Sequence, residues 1–305
     1  MIHLVTFSDA QMSRARALCI ESALKHGVDR VAGPHYFDPG IEYRDGFTLE
    51  WLKSQPIYDQ MGADWWKQKG VGYFLWKPYV IDQVMRKLPD GDVLIYADCG
   101  VEFVDNQKYI IDRMNQDVFV FGNMWEHAHW CKRDIVEAIM PGTEWEFFGK
   151  QCQASVIFSR VSEYSRGFVQ KWLAWCLTKV PQDSQVGLSC GHWWKGNTWS
   201  RCPKCGDVAC ENPSEYLIDD SPSKNRNHPE FQENRWDQAI LTTLAYREGI
   251  KLHWWPAVYN WFVSGGPVFT YEKGDYKDDY PALYHHHRLR DHEWPKDLTR
   301  GVNAK

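Results

Sequence analysis

Residues 69–102 read KGVGYFLWKPYVIDQVMRKLPDGDVLIYADCGVE, and this stretch contains the pattern that decides the fold. Pro78 is placed where a helix tolerates proline, in the first turn, because the N–H that proline lacks would have no helical partner there. Residues 79–88 then repeat apolar side chains at helical spacing. After a Pro-Asp-Gly turn, the apolar run 93–97 is typical of a strand buried in a parallel sheet. That strand ends at a carboxylate, Asp98, and ligands of open α/β sheets bind just beyond such strand ends.

Strands and helices alternate along most of the remaining sequence. Because parallel strands need crossover connections, this order predicts an α/β fold with a mostly parallel, Rossmann-like sheet and helices on both faces. The other predicted strands are 2–7, 28–36, 118–121, 154–158 and 252–262. The other predicted helices are 8–25 with Ser8 as N-cap, 49–61, 134–140, 162–179 and 235–247.

The composition disfavours several classes of protein. A net charge of −5 without a long basic run argues against nucleic-acid binding. No apolar stretch approaches the roughly 18–20 residues of a membrane helix, and residues 1–7 are too short for a signal sequence. Nine cysteines, an odd number, argue against a secreted disulfide framework. We expect a soluble, cytoplasmic protein, whose oligomeric state the sequence does not determine.

The aromatic residues indicate a kind of ligand. The 17 tryptophans exceed what a core needs, and surplus aromatic side chains often line sites for sugars and bases. Many of them will still be ordinary core residues.

A change of composition divides the chain into three parts. Residues 1–180 form the predicted α/β core, 181–230 a Cys-rich insertion with little periodicity, and 231–305 the C-terminal part of the same domain. Four thiolates suit tetrahedral Zn²⁺, and a polar loop without its own core benefits most from such a cross-link, so we predict structural zinc. The predicted ligands are Cys190, Cys202, Cys205 and Cys210. The spacing matches no single zinc family; His192 could replace Cys190, and free or redox-active thiols remain alternatives.

The candidate site residues are acids and bases near the predicted strand ends. Asp98 could hold a divalent cation, and Glu102 could add a second carboxylate. Asp237 begins a predicted helix, where a carboxylate is also favoured simply by the helix dipole. Candidates to neutralise phosphates are Lys69, Lys77, Lys132 and Arg133, each of which could equally be a solvated surface charge. The histidines 285–287 are either surface residues or ligands that close the site, with His286 as the candidate ligand of Mn²⁺ or Mg²⁺.

Five segments in this order give the chain a specific resemblance. They are KGVGYFLWKPYVI, LIYADCG, HAHWCKRD, QCQASVIFSR and NRWDQAILTTL. Together they resemble a family of nucleotide-sugar glycosyltransferases of bacterial surface-polysaccharide clusters and viruses, with the A-type glycosyltransferase fold. The similarity covers roughly residues 2–180 and 230–290 and omits the Cys-rich insertion.

The resemblance implies a donor, an acceptor and roles for particular residues. It implies transfer of a sugar from a nucleotide-diphosphate donor to a glycan or other hydroxyl acceptor, assisted by Mn²⁺ or Mg²⁺. Asp98 would stand at the family's Asp-x-Asp metal motif, Lys77 would approach the donor diphosphate, and Asp237 would be the carboxylate nearest the reacting sugar. The other implied substrate-binding residues are Thr6, Phe7 and Ser8 at the nucleotide, Trp130, Lys132 and Gln153 on the sugar or acceptor side, and Lys69, Trp76, Gly100 and Gln238.

One departure from the family pattern, the stereochemistry of the reaction and two other functions stay open. Gly100 stands where the strict motif has its second acid, so the chain lacks the complete Asp-x-Asp pair. If Asp237 is a base, the reaction inverts the sugar; if it stabilises a cationic sugar, retention is possible. The alternatives are a non-catalytic binding module built on the zinc loop and a metal-dependent hydrolase that uses the same carboxylates.

Overall fold

The fold is described from a computed structural model. The residues that it describes are 1–8, 12–32, 51–61, 70–180, 193–195, 198–200, 216–219, 223, 227–254, 257–259, 269–270 and 283–286.

A six-stranded sheet forms the centre of the molecule. Its strands are β1 (Ile2–Val5), β2 (Arg30–Val31), β3 (Val93–Ala97), β5 (Val118–Glu126), β6 (Lys150–Arg160) and β9 (Leu252–Trp254), in the order β2-β1-β3-β6-β5-β9. All pairings are parallel except those of β6, which runs antiparallel to both of its neighbours. The prediction of a mostly parallel α/β sheet is therefore confirmed, with β6 as the exception.

A second sheet covers part of one face. It consists of β4 (Val101–Phe103), β10 (Ala257–Tyr259), β11 (Phe269–Thr270) and β12 (Tyr284–His286), in the order β11-β10-β12-β4. A separate hairpin pairs β7 (Trp193–Lys195) with β8 (Thr198–Ser200). Because β4 follows β3 after a single tight turn, the second sheet lies directly next to the end of the strand that carries Asp98.

Helices pack on both faces of the central sheet, as predicted. They are α1 (Ser13–Lys25), α2 (Pro56–Met61), α3 (Gly70–Tyr73), α4 (Trp76–Met85), α5 (Lys108–Ile111), α6 (Arg133–Ile139), α7 (Glu163–Cys176) and α8 (Trp236–Arg247). Alternate residues of β3 separate two cores. Leu94 and Tyr96 pack with α4, α7 and α8, whereas Ile95 and Ala97 pack with α1 and the second sheet.

The start of α7 shows how local sequence fixes these elements. The Ser162 hydroxyl accepts a hydrogen bond from the Ser165 amide, and the Ser165 hydroxyl accepts one from the Ser162 amide. This reciprocal capping satisfies two amides that would otherwise lack partners at the helix start.

Two predicted elements are wrong. Ser8 is not the N-cap of α1, which begins at Ser13 after Met12. The single strand predicted at 252–262 is instead two strands, β9 in the central sheet and β10 in the second sheet. An aromatic, apolar run fits either sheet equally well, so its sequence did not reveal the switch.

Candidate functional site

Several elements place polar residues at the carboxyl edge of the central sheet. Val5 pairs with Tyr96, so residues 6–8 after β1 lie beside the residues that follow β3. Asp98 stands just past β3, and its amide donates to the Ser155 carbonyl in β6. The sheet therefore presents its functional groups where open α/β sheets bind ligands.

The centre of this edge is the ammonium of Lys77, which α4 supplies. Its Nζ lies 3.3 Å from Asp98 Oδ1 and 3.4 Å from Asp237 Oδ2. It also donates to the Ala154 carbonyl at 3.0 Å. The side chains of Lys77 and Asp237 are 4% and 3% exposed, whereas Asp98 is 26% exposed and opens to solvent. We call Lys77, Asp98 and Asp237 the charge cluster.

One ammonium shared between two carboxyl groups changes the acidity of the buried acid. Burial is the main cause that raises the pKa of Asp237 to about 7; Lys77 opposes the rise and Asp98 adds to it. Burial also works against the charge of Lys77, but Asp237 and Asp98 outweigh it and raise the pKa of the lysine. The cluster therefore keeps its cation and holds a carboxyl group that titrates near neutral pH.

Asp237 carries a further sign of function. Its Oδ2 is buried and makes no hydrogen bond to any described residue, apart from the longer ion pair with Lys77. Buried carboxylate oxygens are nearly always hydrogen-bonded, so an exception calls for an explanation. A ligand group that reaches Oδ2 during function would supply the missing partner.

The backbone around Asp237 is held in an uncommon conformation. Trp236, the first residue of α8, has φ 47°, in the left-handed region that costs a bulky residue free energy. The Trp172 indole donates to the Asp237 carbonyl at 2.9 Å, and the ring of Trp236 contacts that of Phe74 at 5.8 Å between centroids. Phe74 itself has φ 62° and lies three residues before Lys77. Left-handed aromatic residues thus precede both Lys77 and Asp237.

Asp98 has one more partner that the sequence analysis missed. The hydroxyl of Tyr96 lies 2.5 Å from Asp98 Oδ1. Burial is the main cause that raises the pKa of that tyrosine, and the negative charge of Asp98 is the next. Residues two apart on a strand share a face, so the alternation of β3 could have identified Tyr96.

The predicted nucleotide-side residues lie at this edge but are buried. The rings of Phe7 and Trp76 pack at 4.4 Å between centroids, and Trp76 continues the contact to Tyr96 at 6.4 Å. Thr6 and Ser8 are also buried. The contact of Thr6, Phe7 and Ser8 with a nucleotide, and of Trp76 with the substrate, stays a prediction.

Lys132 contacts a part of the chain that does not belong to the charge cluster, the segment 216–219. Its buried ammonium donates to the carbonyls of Tyr216 and Asp219 and forms an ion pair with Asp219 Oδ1 at 3.0 Å. These acceptors use all three N–H groups of an ammonium, which leaves none for a sugar.

The other predicted substrate-binding residues make hydrogen bonds near the carboxyl edge of the central sheet. Gln153 is buried in β6 and donates to Ser155, and Gln238 donates to Gln151 at 2.6 Å. Gly100 lies in the turn that the hydrogen bond from the Val101 amide to the Asp98 carbonyl closes. The carbonyl of Trp130 accepts from Gln151, which links it through Gln238 to the start of α8.

The predicted metal ligands divide between the second sheet and regions that are not described. His286 is buried at the end of β12 opposite Val101, and Glu102 contacts Nδ1 of His285 at 3.0 Å rather than joining Asp98. Lys69 and the four cysteines Cys190, Cys202, Cys205 and Cys210 lie outside the described residues, so the zinc site stays a prediction.

Asp98 suits a cation that arrives with a phosphate-bearing ligand. No three His, Cys, Asp or Glu side chains in the described ranges are arranged as a complete metal site. Mg²⁺ is commonly bound by one or two carboxylates together with substrate phosphates and water, rather than by a cage of protein ligands. Both contacts given above for the Asp98 carboxylate use Oδ1, and the side chain is open to solvent, so it meets that requirement.

None of the described helices combines the length and apolar character needed to cross a bilayer.

Comparisons with known proteins give distant likenesses to solved structures. No protein-family profile matches the chain, and no curated protein matches it. The chain is similar to the apo crystal structure of mouse xyloside xylosyltransferase 1, with 10% identity and a TM-score of 0.37 over 94% of this chain and 96% of that one. It is also similar to the apo structure of the bifunctional glycosyltransferase WbbM, with 14% identity and a TM-score of 0.32 over 58% of this chain and 33% of that one. Both TM-scores are low, so the conclusions on fold and site stand on the geometry above.

Proposed function

We propose that the protein is a glycosyltransferase that moves a sugar from a nucleotide-diphosphate donor to a hydroxyl acceptor. The observation that carries the proposal is the charge cluster, one buried ammonium between two carboxyl groups at the carboxyl edge of a mostly parallel sheet. Such an edge is where α/β proteins bind nucleotides, and a diphosphate leaving group needs positive charge beside it.

In this proposal Lys77 and Asp98 act on the donor. Lys77 offsets the charge that builds up on the leaving diphosphate through its positive charge and not by a direct hydrogen bond, since its N–H groups already face one carbonyl and the two carboxyl groups of the charge cluster. Asp98 would hold Mn²⁺ or Mg²⁺ together with the diphosphate, and that cation would supply further neutralising charge. Tyr96 keeps the Asp98 carboxylate oriented through its hydroxyl.

Asp237 acts as the general base on the acceptor. A base works best when its pKa lies near the working pH, and burial raises the pKa of Asp237 to about 7. The acceptor oxygen bonds to the anomeric carbon, its proton passes to Asp237 Oδ2, and the bond from that carbon to the diphosphate oxygen breaks with its electron pair leaving on the diphosphate. Direct displacement of this kind inverts the configuration of the sugar.

Asp98→Asn provides the direct test. UDP- and GDP-sugars are screened by thermal shift with and without Mn²⁺, and the donor that stabilises the protein is used for turnover. We expect Asp98→Asn to abolish turnover while the circular dichroism spectrum is retained. The matched control is Asp92→Asn, because Asp92 lies next to the opposite end of β3, where it contacts His3.

Three outcomes separate the alternatives. Full turnover in Asp98→Asn would refute the assignment. Donor hydrolysis that no acceptor accelerates would indicate a hydrolase. Absence of binding to every donor, together with capture of a partner that depends on Cys202 or Cys205, would indicate a binding module.

A further inference from the structure

Two half-buried tryptophans lie side by side beyond the charge cluster. The ring centroids of Trp125 and Trp130 are 5.0 Å apart, with 31° between the planes. Trp125 is the second-to-last residue of strand β5, and Trp130 follows a short 3₁₀ helix. Since β3 and β5 point the same way in the sheet, the ends of both strands meet the same edge.

Arg235 fixes this pair. Its guanidinium carbon lies 4.6 Å from the ring centroid of Trp125 and 4.4 Å from that of Trp130. Its backbone amide donates to the Trp130 carbonyl at 3.1 Å, and Gln151 donates to the same carbonyl. Side chains held by cation–π contacts and backbone hydrogen bonds are already ordered before a ligand arrives, which lowers the entropic cost of binding.

The charge of this arginine is balanced. A terminal nitrogen of Arg235 lies 3.1 Å from a carboxylate oxygen of Glu233. In the part of the chain that the structure describes, the two rings therefore offer aromatic surface beside an arginine whose charge Glu233 offsets. This favours an uncharged ligand over an acidic one.

A continuous line of contacts joins the two tryptophans to the charge cluster. Arg235 lies 5.8 Å from the ring of Trp236, which contacts Phe74, and Lys77 Nζ lies 5.3 Å from the Phe74 ring centroid. Arg235 is also only two residues before Asp237 in the sequence. A ligand on the tryptophans would thus lie at the same edge of the sheet as the charge cluster.

We propose that Trp125, Trp130 and Arg235 form the acceptor subsite, and that the acceptor is an uncharged sugar chain. The C–H face of a pyranose stacks on the electron-rich face of an indole, while its hydroxyl groups bond to polar groups at the rim. This inference rests on the proposed function and narrows its acceptor from any hydroxyl compound to a neutral glycan.

The test measures sugar binding in the absence of donor. Maltotriose, xylotriose, chitotriose and the acidic trigalacturonate are titrated into the full chain by calorimetry and by tryptophan fluorescence. We expect at least one neutral chain to bind, and Trp125→Ala and Trp130→Ala to weaken it at least tenfold. Trp130→Phe keeps an aromatic face and should retain most of the binding.

The matched control is Trp145→Ala. Trp145 is another half-buried tryptophan in a cation–π contact, with Arg133 at 5.4 Å, but it belongs to a different loop. We expect this variant to bind the neutral chain within twofold of the wild type. Equal weakening in Trp145→Ala would overturn the subsite, as would binding within twofold in Trp130→Ala.

Donor binding separates this proposal from the proposed function. Trp125→Ala and Trp130→Ala should keep the thermal shift that the nucleotide-sugar causes, which also shows that they fold. If the wild type binds a donor but none of the three neutral chains, or prefers trigalacturonate, the acceptor assignment is wrong while the transferase assignment survives. If sugar chains bind but no donor does, the proposed function fails and the subsite stands.

Discussion

Lys77 and Lys132 are both buried lysines with three oxygen acceptors, yet their surroundings differ. Lys132 is held by two carbonyls and by Asp219, whose other carboxylate oxygen accepts from the Tyr216 amide. Each charge of that pair has a partner, and all three acceptors of Lys132 lie in the short segment 216–219. Lys77 is held by one carbonyl and by two carboxyl groups from separate elements, and one oxygen of Asp237 has no hydrogen bond to a described residue.

The contrast separates a structural ion pair from a candidate site. A buried pair with equal charges and saturated hydrogen bonds joins two segments and leaves nothing for a ligand. A cluster with two acids for one base, one acid open to solvent and the other with an elevated pKa, retains unused capacity to bind and to exchange protons. Burial of a lysine is common to both, so burial alone does not identify function.

The largest effect is expected from Lys132→Met. Removal of one partner leaves the Asp219 carboxylate buried without its counter-charge, and such changes cost about 3–5 kcal/mol of the free energy of unfolding. Urea denaturation measures the loss. The control is Lys87→Met at an exposed position, for which we expect a change within about 0.5 kcal/mol. A loss below about 1 kcal/mol in Lys132→Met would mean that the pair is not structural.

Lys77→Met should reverse the pattern, with a large loss of activity and a smaller loss of stability. Turnover should fall by about 10²–10³, the usual cost of removing one group that stabilises transition-state charge. The free energy of unfolding should fall less than in Lys132→Met, because Asp237 can take up a proton near neutral pH and Asp98 is solvated. Turnover within tenfold of the wild type, or a stability loss as large as that of Lys132→Met, would erase the distinction between the two lysines.

A smaller effect is expected when the pH dependence of the free energy of unfolding is compared between the wild type and Asp237→Asn. The folded-state pKa of Asp237 is about 7, above its ordinary value of 3.8, so between these values the folded state holds a proton that the unfolded state has released. This contribution to stability is fully present below the unfolded pKa of 3.8 and is lost as the pH rises from there through the folded pKa of about 7. Asparagine has no such titration, so the wild type should lose on the order of 1–3 kcal/mol relative to Asp237→Asn between pH 5 and pH 8.

Urea denaturation of both proteins at the two pH values checks this expectation. Parallel pH profiles would show that Asp237 does not titrate in this range.

Local patterns predicted part of the fold well. The strand 93–97 has the predicted bounds, and Pro78 lies in the first turn of its helix. These features follow from short-range rules on apolar runs and on proline geometry. The position of Asp98 at the strand end follows from them as well.

The direction in which strands pair and the contacts between residues far apart in the sequence were not predictable from the same local patterns. An apolar run such as 154–158 can be paired in either direction, so the antiparallel orientation of β6 left no local signal. Lys77 and Lys132 were both predicted to neutralise phosphates for the same reason, because each is a cation near a predicted strand end. Their partners, Asp237 and Asp219, lie far along the chain, and only tertiary structure decides which lysine meets a saturated carboxylate.

The order of the strands also determines when the charge cluster can exist. When synthesis has reached residue 180, the chain contains Lys77 and Asp98 but lacks α8 with Asp237, and also lacks β9 and β12, which pair with β5 and β4. At that point β4 and β5 each have an unpaired edge, and exposed edges invite association with other chains. The nascent protein therefore depends on segments made after residue 180 to cover those edges, and its charge cluster is complete only once α8 has been synthesised.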